Sequence, residues 1–309
     1  MLTDAQNYAV VQTELDDVFY PNFEYDSSNP GIATARTGEI FKVMNIANGA
    51  YIQEVFGGNS YFAAIGETQT VPLSTPKVAN KQTTYPLDFA GSVELSKDWF
   101  DDQMHGVWSQ VIENFALRAR VTQDKNCFSA FINGFTTFLT PDGSAWFSTH
   151  TLINGGTQSN TATGALTPAN LNLGIVSLRE QKDQGGMILG QSPAYLVVPS
   201  ALFKHACEIV QSVLLADSGN NNVNVYSSIY DLRIFSSPQL GAAAGGSDTA
   251  WFLLGRNHGL RRLIRQGIQT NLRDWSYSNN RTYLYQANFR ENVFVSDYVA
   301  SYGSTGTTA

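Results

Sequence analysis

Residues 96–135 constrain the fold most, because they predict one unusually long amphipathic helix. Ser96 is a suitable N-cap, no proline interrupts the stretch before Thr140, and the region of Gly134 supplies a stop. A helix of roughly 30 residues spans about 45 Å, so we expect the rest of the chain to be built along it. The apolar stripe comprises Trp99, Met104, Trp108, Val111, Ile112, Phe115, Ala119, Cys127, Ala130 and Phe131.

The composition indicates a surface that is short of charge. Charged residues make up 15% of the chain and hydrophobic residues 43%, whereas soluble domains average about 25% charged residues. Aromatic residues, which are enriched at protein interfaces, reach 12%. We therefore expect much of the surface to be covered by neighbouring subunits. The net charge of −7 argues against a protein that grips nucleic acid electrostatically.

Cysteine usage and hydropathy indicate a cytoplasmic, soluble protein. Cys127 and Cys207 fall in predicted helices and are expected to be small buried hydrophobic residues in a reducing compartment. The first residues are acidic and lack the apolar run of a signal peptide. No apolar run approaches the roughly 18 residues of a membrane span.

The first hundred residues divide into an arm and a hairpin. An amphipathic segment over residues 4–19 should stop at Tyr20-Pro21, and residues 25–38 are expected to form an extended arm. Strands are predicted at 40–46, 50–56 and 60–65, followed by a hydroxyl-rich loop at 68–86 and a returning strand at 86–95. A two-stranded hairpin without a core is marginal in water, so we expect it to lie on another subunit.

The later sequence predicts an inserted α+β layer. A turn-rich connection of about 30 residues leads to a helix that starts at Thr167-Pro168 and ends at Gly185-Gly186. A buried strand at 194–199, a helix capped by Ser200, and strands at 231–240 and 249–255 follow. Residues 281–301 should return beside the long helix and close the first domain, and 303–309 form a tail without folding information.

This order of parts resembles the major capsid proteins of tailed bacteriophages with the Hong Kong 97 fold. The phrases WFSTHTLINGG, LTPANLNLGIVSLREQKDQGG and SPAYLVVPSALFKHACEIV are similar to the Mu-like head-subunit branch. The chain departs from some relatives in having no long N-terminal region like a fused scaffold. The lysine–asparagine crosslink of the founding member cannot be mapped onto it by motif.

The resemblance implies an α+β capsid fold with five parts. These are an N-terminal arm (1–38), an extended β-hairpin or E-loop (39–95), a peripheral domain with the spine helix (96–166), an axial domain (167–265), and a return to the peripheral domain with the C-terminal tail (266–309). It also implies self-assembly into hexamers and pentamers around double-stranded DNA that is enclosed but not specifically bound. Scaffold, portal and decoration proteins would be partners, and the virion would be the location.

Assembly contacts are expected on the arm, the hairpin and one basic stretch. The predicted inter-subunit residues are Phe19, Tyr20, Phe23, Arg36, Tyr61, Phe62, Lys77, Lys81, Arg261, Arg262 and Arg265. The arginines could contact packaged DNA, pair with a neighbour's acidic surface, or form a solvated face. Gly66 and Gly91 are predicted hinges at the base of the hairpin.

Catalytic and cofactor motifs are not found in the sequence. The four histidines lack zinc-ligand spacing, Ser148 and His150 lack a nucleophile elbow, and the glycine pairs lack a phosphate-loop context. His150 is expected to be a polar turn residue. We expect no cofactor and no enzyme activity. The alternatives are an encapsulin-like nanocompartment of the same fold and an α+β enzyme with a two-domain cleft.

Overall fold

The computed structural model describes residues 4–24, 40–57, 61–73, 77–102, 104–212, 226, 230–273 and 281–308. The helices are α1 (Asp4–Glu24), α2 (Lys97–Asp101), α3 (His105–Ile132), α4 (Pro168–Arg179) and α5 (Phe203–Val210). The strands are β1 (Lys42–Asn45), β2 (Tyr51–Gly57), β3 (Lys77–Thr84), β4 (Leu87–Ser96), β5 (Thr149–Thr151), β6 (Thr157–Ser159), β7 (Thr161–Gly164), β8 (Pro193–Pro199), β9 (Arg233–Ser237), β10 (Trp251–Gly255), β11 (Leu260–Arg273), β12 (Thr282–Val295) and β13 (Ser301–Thr308).

The predicted long helix is present but broken near its start. Ser96 caps the short α2, since its hydroxyl accepts a hydrogen bond from the Asp98 amide at 3.3 Å. The helix stops at Asp102, and α3 then runs for 28 residues. Met104, predicted on the apolar stripe, lies at this break and is exposed. The other stripe residues from Trp108 onwards are buried or half-buried, as expected of the core-facing side.

The first half of α3 packs on a four-stranded sheet with the order β1-β11-β12-β4. In this sheet β12 pairs antiparallel with both β11 and β4, so the predicted return of the chain beside the long helix is confirmed. The shared core is formed by Leu15, Phe19, Leu95, Trp108, Ile112, Ala116, Leu272, Tyr283, Tyr285 and Ala287. We call this the peripheral layer.

Helix α1 differs from the sequence prediction at its end. It continues to Glu24 with Pro21 inside it, instead of stopping at Tyr20-Pro21. Proline removes one backbone donor from a helix interior, which destabilises it. Phe23 stacks on Phe19 at 5.9 Å between ring centroids, and Phe19 packs on α3. This packing accounts for the helical last turn.

The second half of α3 packs on a five-stranded sheet with the order β7-β13-β10-β8-β9. On that face Phe128 and Phe131 share a core with Trp146, Phe147 and Phe252. Helices α4 and α5 cover the opposite face of the same sheet. One helix therefore joins both sheets, which explains why the sequence keeps it uninterrupted for so long.

The five-stranded sheet takes two strands from outside the predicted 167–265 range. Strand β13 lies between β7 and β10, parallel to the first and antiparallel to the second. The prediction that residues 303–309 carry no folding information was therefore wrong for the described part of that tail. The connection at 138–168 is also structured, with β5, β6 and β7 and the fully buried Trp146.

The helix boundaries in this layer are partly as predicted. Thr167 caps α4, and its hydroxyl accepts a hydrogen bond from the Asn170 amide at 3.2 Å. The helix ends at Arg179, well before Gly185-Gly186. Ser200 is not the predicted helix cap: it is the first residue of a 3₁₀ turn, and the N-cap position of α5 is Leu202. Cys127 is buried as expected, whereas Cys207 is only partly buried.

Candidate assembly surfaces

The hairpin formed by β2 and β3 has no hydrophobic core of its own. The strands pair antiparallel from Tyr51 opposite Thr84 to Gly57 opposite Lys77. Between Lys42 and Glu94, no apolar side chain of a described residue is buried. Exposed instead are eleven large apolar side chains, Val43, Ile52, Phe56, Tyr61, Phe62, Ile65, Val71, Leu73, Val78, Tyr85 and Leu87. Exposed apolar surface of this extent marks an interaction site.

The pairing of this hairpin differs from the sequence prediction. Its return strand is β3, which lies inside the predicted polar loop, while the predicted return strand at 86–95 is β4 of the peripheral sheet. Strand β4 joins that sheet because Leu95 is buried in the peripheral core. Residues 61–65, predicted as a strand, are irregular.

The hairpin contacts its own chain at several points along its length. The Gln82 side-chain amide donates to the Leu139 carbonyl at 3.1 Å. The Gly57 backbone runs so close to Gln184 that an added Cβ would lie 2.8 Å from the Gln184 Cβ. Beyond the strands, the Tyr61 hydroxyl accepts a hydrogen bond from the Ile188 amide at 3.2 Å. Contacts with its own chain therefore run from Gln82, near the open end of the pairing, to Gly57 at the turn end and on to Tyr61.

The tip, defined here as residues 61–73, carries the most exposed large side chains of the hairpin. Phe62 is fully exposed, and Leu73 is 92% exposed. Sequence reasoning selected Tyr61 and Phe62 but missed Ile65, Val71 and Leu73. The surrounding threonines and glutamines gave the segment the appearance of a polar loop. The sequence did contain a signal for exposed apolar residues. Val71 and Leu73 flank Pro72 in a stretch without the helical or strand periodicity that would predict their burial.

The two lysines predicted near the hairpin tip lie in β3. Lys77 is opposite Gly57 and exposed. Lys81 is paired within the hairpin, with its Nζ 3.5 Å from Glu54 Oε1. Both partners of this pair are solvent-accessible, so the pair contributes little to stability.

The aromatic residues of α1 that were predicted as inter-subunit contacts belong to the peripheral core. Phe19 is fully buried and packs against Tyr285, with 5.9 Å between ring centroids. The Tyr20 hydroxyl lies 3.3 Å from the Thr270 hydroxyl, and Phe23 stacks on Phe19. The prediction for Phe19 was wrong, because the three- and four-residue spacing of this aromatic group matches a helix packed on its own sheet. Arg36 lies outside the described residues.

The predicted basic stretch lies on β11 and is partly internal. Arg262 forms a buried ion pair with Glu291, with 2.5 Å between Nη2 and Oε2, so it does not face a neighbour. Asp124 on α3 lies in the same cluster. Burial raises the pKa of its carboxyl to about 6, although Arg120 and Arg262 oppose the shift. Arg261 is half-buried and Arg265 is exposed, which leaves these two available to a partner.

The comparison with protein families shows to which class of protein the chain belongs. The family model described as phage capsid protein matches residues 80–303, well over half of the chain. The chain belongs to the phage capsid protein family. No curated protein matches the capsid chain.

Solved structures show the fold of this capsid protein. A structure from Microbacterium phage Oxtober96 superposes with a TM-score of 0.56 at 14% identity, covering 90% of this chain and 91% of the other. A virus-like particle from Pyrococcus furiosus gives 0.55 at 8% identity, covering 94% and 98%. An encapsulin complex from Synechococcus elongatus gives 0.54 at 12% identity, covering 100% and 96%. The capsid protein thus has the Hong Kong 97 fold.

The two predicted hinge glycines do not lie at the base of the E-loop. Gly66 is in the tip, where its carbonyl accepts a hydrogen bond from the Gln69 amide at 3.1 Å in a turn. Gly91 lies in the middle of β4, opposite Ala287. An added Cβ at Gly91 would lie 3.2 Å from the Phe115 ring, so glycine there allows α3 to approach the sheet closely.

His150 is a buried structural residue of the capsid protein and not the polar turn residue that was predicted. Its Nδ1 lies 2.7 Å from Asp142 Oδ2, its Nε2 lies 3.2 Å from the Trp146 carbonyl oxygen, and its ring stacks on Tyr298 at 3.8 Å. Burial raises the pKa of Asp142, but hydrogen bonds from His150 and Thr140 outweigh this effect and leave the pKa below its usual value. The network joins β5 to Asp142, Trp146 and Tyr298 inside the subunit.

Metal-binding clusters and membrane-spanning helices are both absent from the described part of the capsid protein. No group of three or more histidine, cysteine, aspartate or glutamate side chains there could hold a metal ion. No helix in the described ranges is long and apolar enough to cross a membrane.

Proposed function

We propose that this capsid protein is the major head subunit of a tailed bacteriophage, assembling with copies of itself into pentamers and hexamers. These would close into an icosahedral shell around double-stranded DNA. The quoted motifs favour a Mu-like head. The chain would perform no catalysis, its partners would include scaffold, portal and decoration proteins, and the shell would assemble in the cytoplasm of the host bacterium before residing in the virion.

One observation carries the proposal, namely that the E-loop exposes large apolar side chains on a hairpin that buries none of its own in the described residues. Such a segment gains most of its stability by covering another subunit. Each E-loop contact is small, but a closed shell repeats the contact in every subunit, so weak contacts add up through multivalency. Helix α3 and the two sheets would form the rigid part of the subunit, from which the E-loop extends to a neighbouring subunit.

In this proposal the four-stranded layer corresponds to the peripheral domain and the five-stranded sheet, with α4 and α5, to the axial domain around the symmetry axes. The net charge of −7 suits a container that encloses DNA without binding it tightly. Arg265 and Arg261 remain candidates for contacts to a neighbouring subunit or to the packaged DNA.

The experiment replaces the E-loop tip, residues 61–73, with a short Gly/Ser linker. The cut leaves the β2–β3 pairing intact. A longer deletion, of residues 68–84, would remove β3. We expect the variant to fold with unchanged circular dichroism but to yield no shells by negative-stain microscopy. Normal particles from this variant would overturn the role of the E-loop in assembly.

A second candidate is an encapsulin-like nanocompartment, which the likeness to the Synechococcus elongatus complex brings into consideration. The two functions differ in what the shell contains. Purified particles from the native host should have the ultraviolet absorbance of nucleic acid if the protein is a phage head. A co-purifying protein cargo without nucleic acid would favour the nanocompartment.

A further inference from the structure

The dipeptide Asn-Gly occurs three times in the capsid protein, and the surroundings of the three copies differ. They are Asn48-Gly49, Asn133-Gly134 and Asn154-Gly155. Asparagine followed by glycine readily loses its side-chain amide, because glycine has no side chain to hinder attack by its own backbone nitrogen. The reaction also requires the asparagine side chain and the glycine nitrogen to approach each other. The contacts of each copy therefore decide whether it reacts.

The first copy lies in an exposed bend between β1 and β2. Asn48 and Gly49 are both exposed, and a Cβ added at Gly49 would meet no atom within 4 Å. Among the described residues, no hydrogen bond holds the Asn48 side chain or the Gly49 amide. The Gly49 nitrogen can therefore approach Asn48 Cγ without the loss of any contact.

The copy at Asn154-Gly155 is held at both reacting groups. The Asn154 side-chain amide donates a hydrogen bond to the Gly185 carbonyl at 2.9 Å. The Gly155 amide donates to the Leu152 carbonyl at 3.0 Å, and Gly155 is fixed in a left-handed turn with φ of 87°. Both hydrogen bonds would have to break before the two groups could meet.

The copy at Asn133-Gly134 is held by its backbone at the end of α3. The Gly134 amide donates to the Phe131 carbonyl at 3.2 Å, and the Asn133 carbonyl accepts from the Phe138 amide at 2.9 Å. Gly134 is also buried, and an added Cβ there would lie 2.8 Å from the Phe147 ring. The peptide unit between the two residues therefore cannot rotate into the reactive geometry.

We infer that Asn48 is a site of spontaneous deamidation in the capsid protein, whereas Asn133 and Asn154 are protected. The Gly49 nitrogen attacks Asn48 Cγ. As the N–Cγ bond forms, the Cγ–Nδ2 bond breaks, and the side-chain nitrogen leaves as ammonia with the proton of the Gly49 amide. Water from the solvent then opens the cyclic imide. Cleavage of the new N–Cγ bond gives aspartate, and cleavage of the original peptide bond gives isoaspartate.

The reaction alters the connection between the peripheral layer and the E-loop, residues 47–50, which we call the joint. Just before the joint, the Ile46 amide donates to the Ile264 carbonyl at 3.0 Å. Just after it, the Tyr51 ring lies 5.1 Å from the Phe294 ring, between centroids. Both flanks are thus held on the four-stranded sheet. Either product adds a negative charge to the joint, and isoaspartate also adds a carbon atom to its backbone.

Peptide mapping by mass spectrometry tests the site. The purified full chain is incubated in mildly alkaline buffer, and samples are digested at intervals. The amide of Asn48 should be lost at least roughly tenfold faster than those of Asn133 and Asn154, because the protected copies must first break hydrogen bonds. Comparable rates at the three positions, or an unchanged Asn48, would overturn the inference.

Two controls separate the effect of structure from that of sequence. In denaturant the three copies should react at similar rates, because the protecting contacts are lost. A difference that persisted there would contradict protection by the fold. Gly49→Ala places its methyl group in open space, so it should fold like the wild type but lose the Asn48 amide more slowly. An equal rate in this variant would exclude attack by the backbone nitrogen.

The effect on the shell is measured with aged subunits and rests on the proposed function. Asn48→Gln is the matched variant, because glutamine would have to close a larger ring and reacts more slowly. Aged wild-type subunits should form fewer shells than aged Asn48→Gln subunits, and fresh subunits of both should assemble equally. Equal yields after ageing would contradict the role of the joint. If neither assembles when fresh with its scaffold present, the proposed function fails, whereas peptide mapping still decides the site.

Discussion

The E-loop tip and strand β13 invert the usual relation between side-chain polarity and burial. The tip exposes Phe62 and Leu73 to solvent. Strand β13, with the polar sequence SYGSTGTT, lies inside the five-stranded sheet, and Ser301 and Ser304 are buried. The tip is bonded to the rest of the subunit through Tyr61, which accepts a hydrogen bond from the Ile188 amide. Strand β13, by contrast, has strands on both of its edges.

The polar strand can be buried because its hydrogen-bonding groups are satisfied. The Ser301 hydroxyl accepts a hydrogen bond from Trp146 Nε1 at 2.9 Å, and the Ser301 carbonyl accepts one from the side-chain amide of Gln181 at 2.8 Å. The Ser304 hydroxyl donates to the Gly164 carbonyl at 2.6 Å. Buried polar groups with partners cost little, so β13 can serve as a central strand. The tip has the opposite deficit, since its apolar groups lack a surface to cover them.

The largest effect should come from removing β13. Deleting residues 301–308 takes an interior strand from the five-stranded sheet and leaves the backbone groups of β7 and β10 unpaired, so we expect no soluble folded subunit. Solubility and circular dichroism after expression measure this. The tip replacement at 61–73 is the matched control and should stay soluble. If the subunit without β13 is soluble and folded, β13 is no more necessary for folding than the tip, and the comparison between the two regions fails.

A smaller but still clear effect is expected from Gly303→Ala. An added Cβ would lie 2.7 Å from the Phe147 ring, and this crowding should lower the free energy of unfolding by about 3 kcal/mol. Denaturant unfolding measures the change. Gly267→Ala in β11 is the control, since an added Cβ there meets nothing within 4 Å, and it should change stability by less than about 0.5 kcal/mol. Equal effects of the two substitutions would contradict tight packing at β13.

The next effect depends on pH and concerns Asp297, just before β13. Burial raises the pKa of its carboxyl to about 6, although hydrogen bonds from the amides of Val299 and Tyr298 oppose the shift. Since the unfolded chain loses this proton near pH 4 and the folded chain near pH 6, stability should fall as pH rises through that interval. Asp297→Asn should therefore be more stable than the wild type by about 1–2 kcal/mol at pH 7.5 and equal to it below pH 4.

Denaturant unfolding at several pH values measures this difference. Phe62→Ala in the tip is the control, because it neither adds nor removes a titrating group. Its free energy of unfolding should therefore depend on pH in the same way as that of the wild type. A constant difference between Asp297→Asn and the wild type across the range would mean that the carboxyl does not titrate as stated.

The smallest effect on the single subunit should come from the tip itself. Phe62→Ala should change the free energy of unfolding by less than about 0.5 kcal/mol, because its ring has no buried contact to lose. The same substitution should reduce the yield of shells, because the ring is lost from the contact between subunits. Thermal unfolding of the unassembled subunit and particle counts from one preparation make the comparison. A large loss of subunit stability would place Phe62 in a core.

The strongest sequence signals were those that depend on local physics. The apolar period between Trp108 and Phe131 predicted the spine helix, and Ser96 and Thr167 predicted helix starts through their hydroxyl caps. The strand at 194–199 was predicted by its continuous apolar run. The resemblance of the ordered parts to capsid proteins gave the fold that the solved structures share.

The candidate contact residues were predicted less well. Phe19 and Arg262 were both taken for partner contacts, and both are internal, one in an aromatic core and the other in an ion pair with Glu291. The local sequence around an aromatic or charged residue does not show which other residues cover it. Phe19 is covered by residues more than 200 positions away, and Arg262 is paired with a residue on the opposite strand.

The sequence by itself determined the spine helix, the helix starts and most of the apolar strands, because period and capping act over a few residues. Only the tertiary structure decided that β13 is central, that β3 and not β4 returns the E-loop, and that the tip is left exposed. Strand partners are chosen by long-range pairing, and a polar strand is stable inside a sheet only when distant groups such as Trp146 and Gln181 satisfy it.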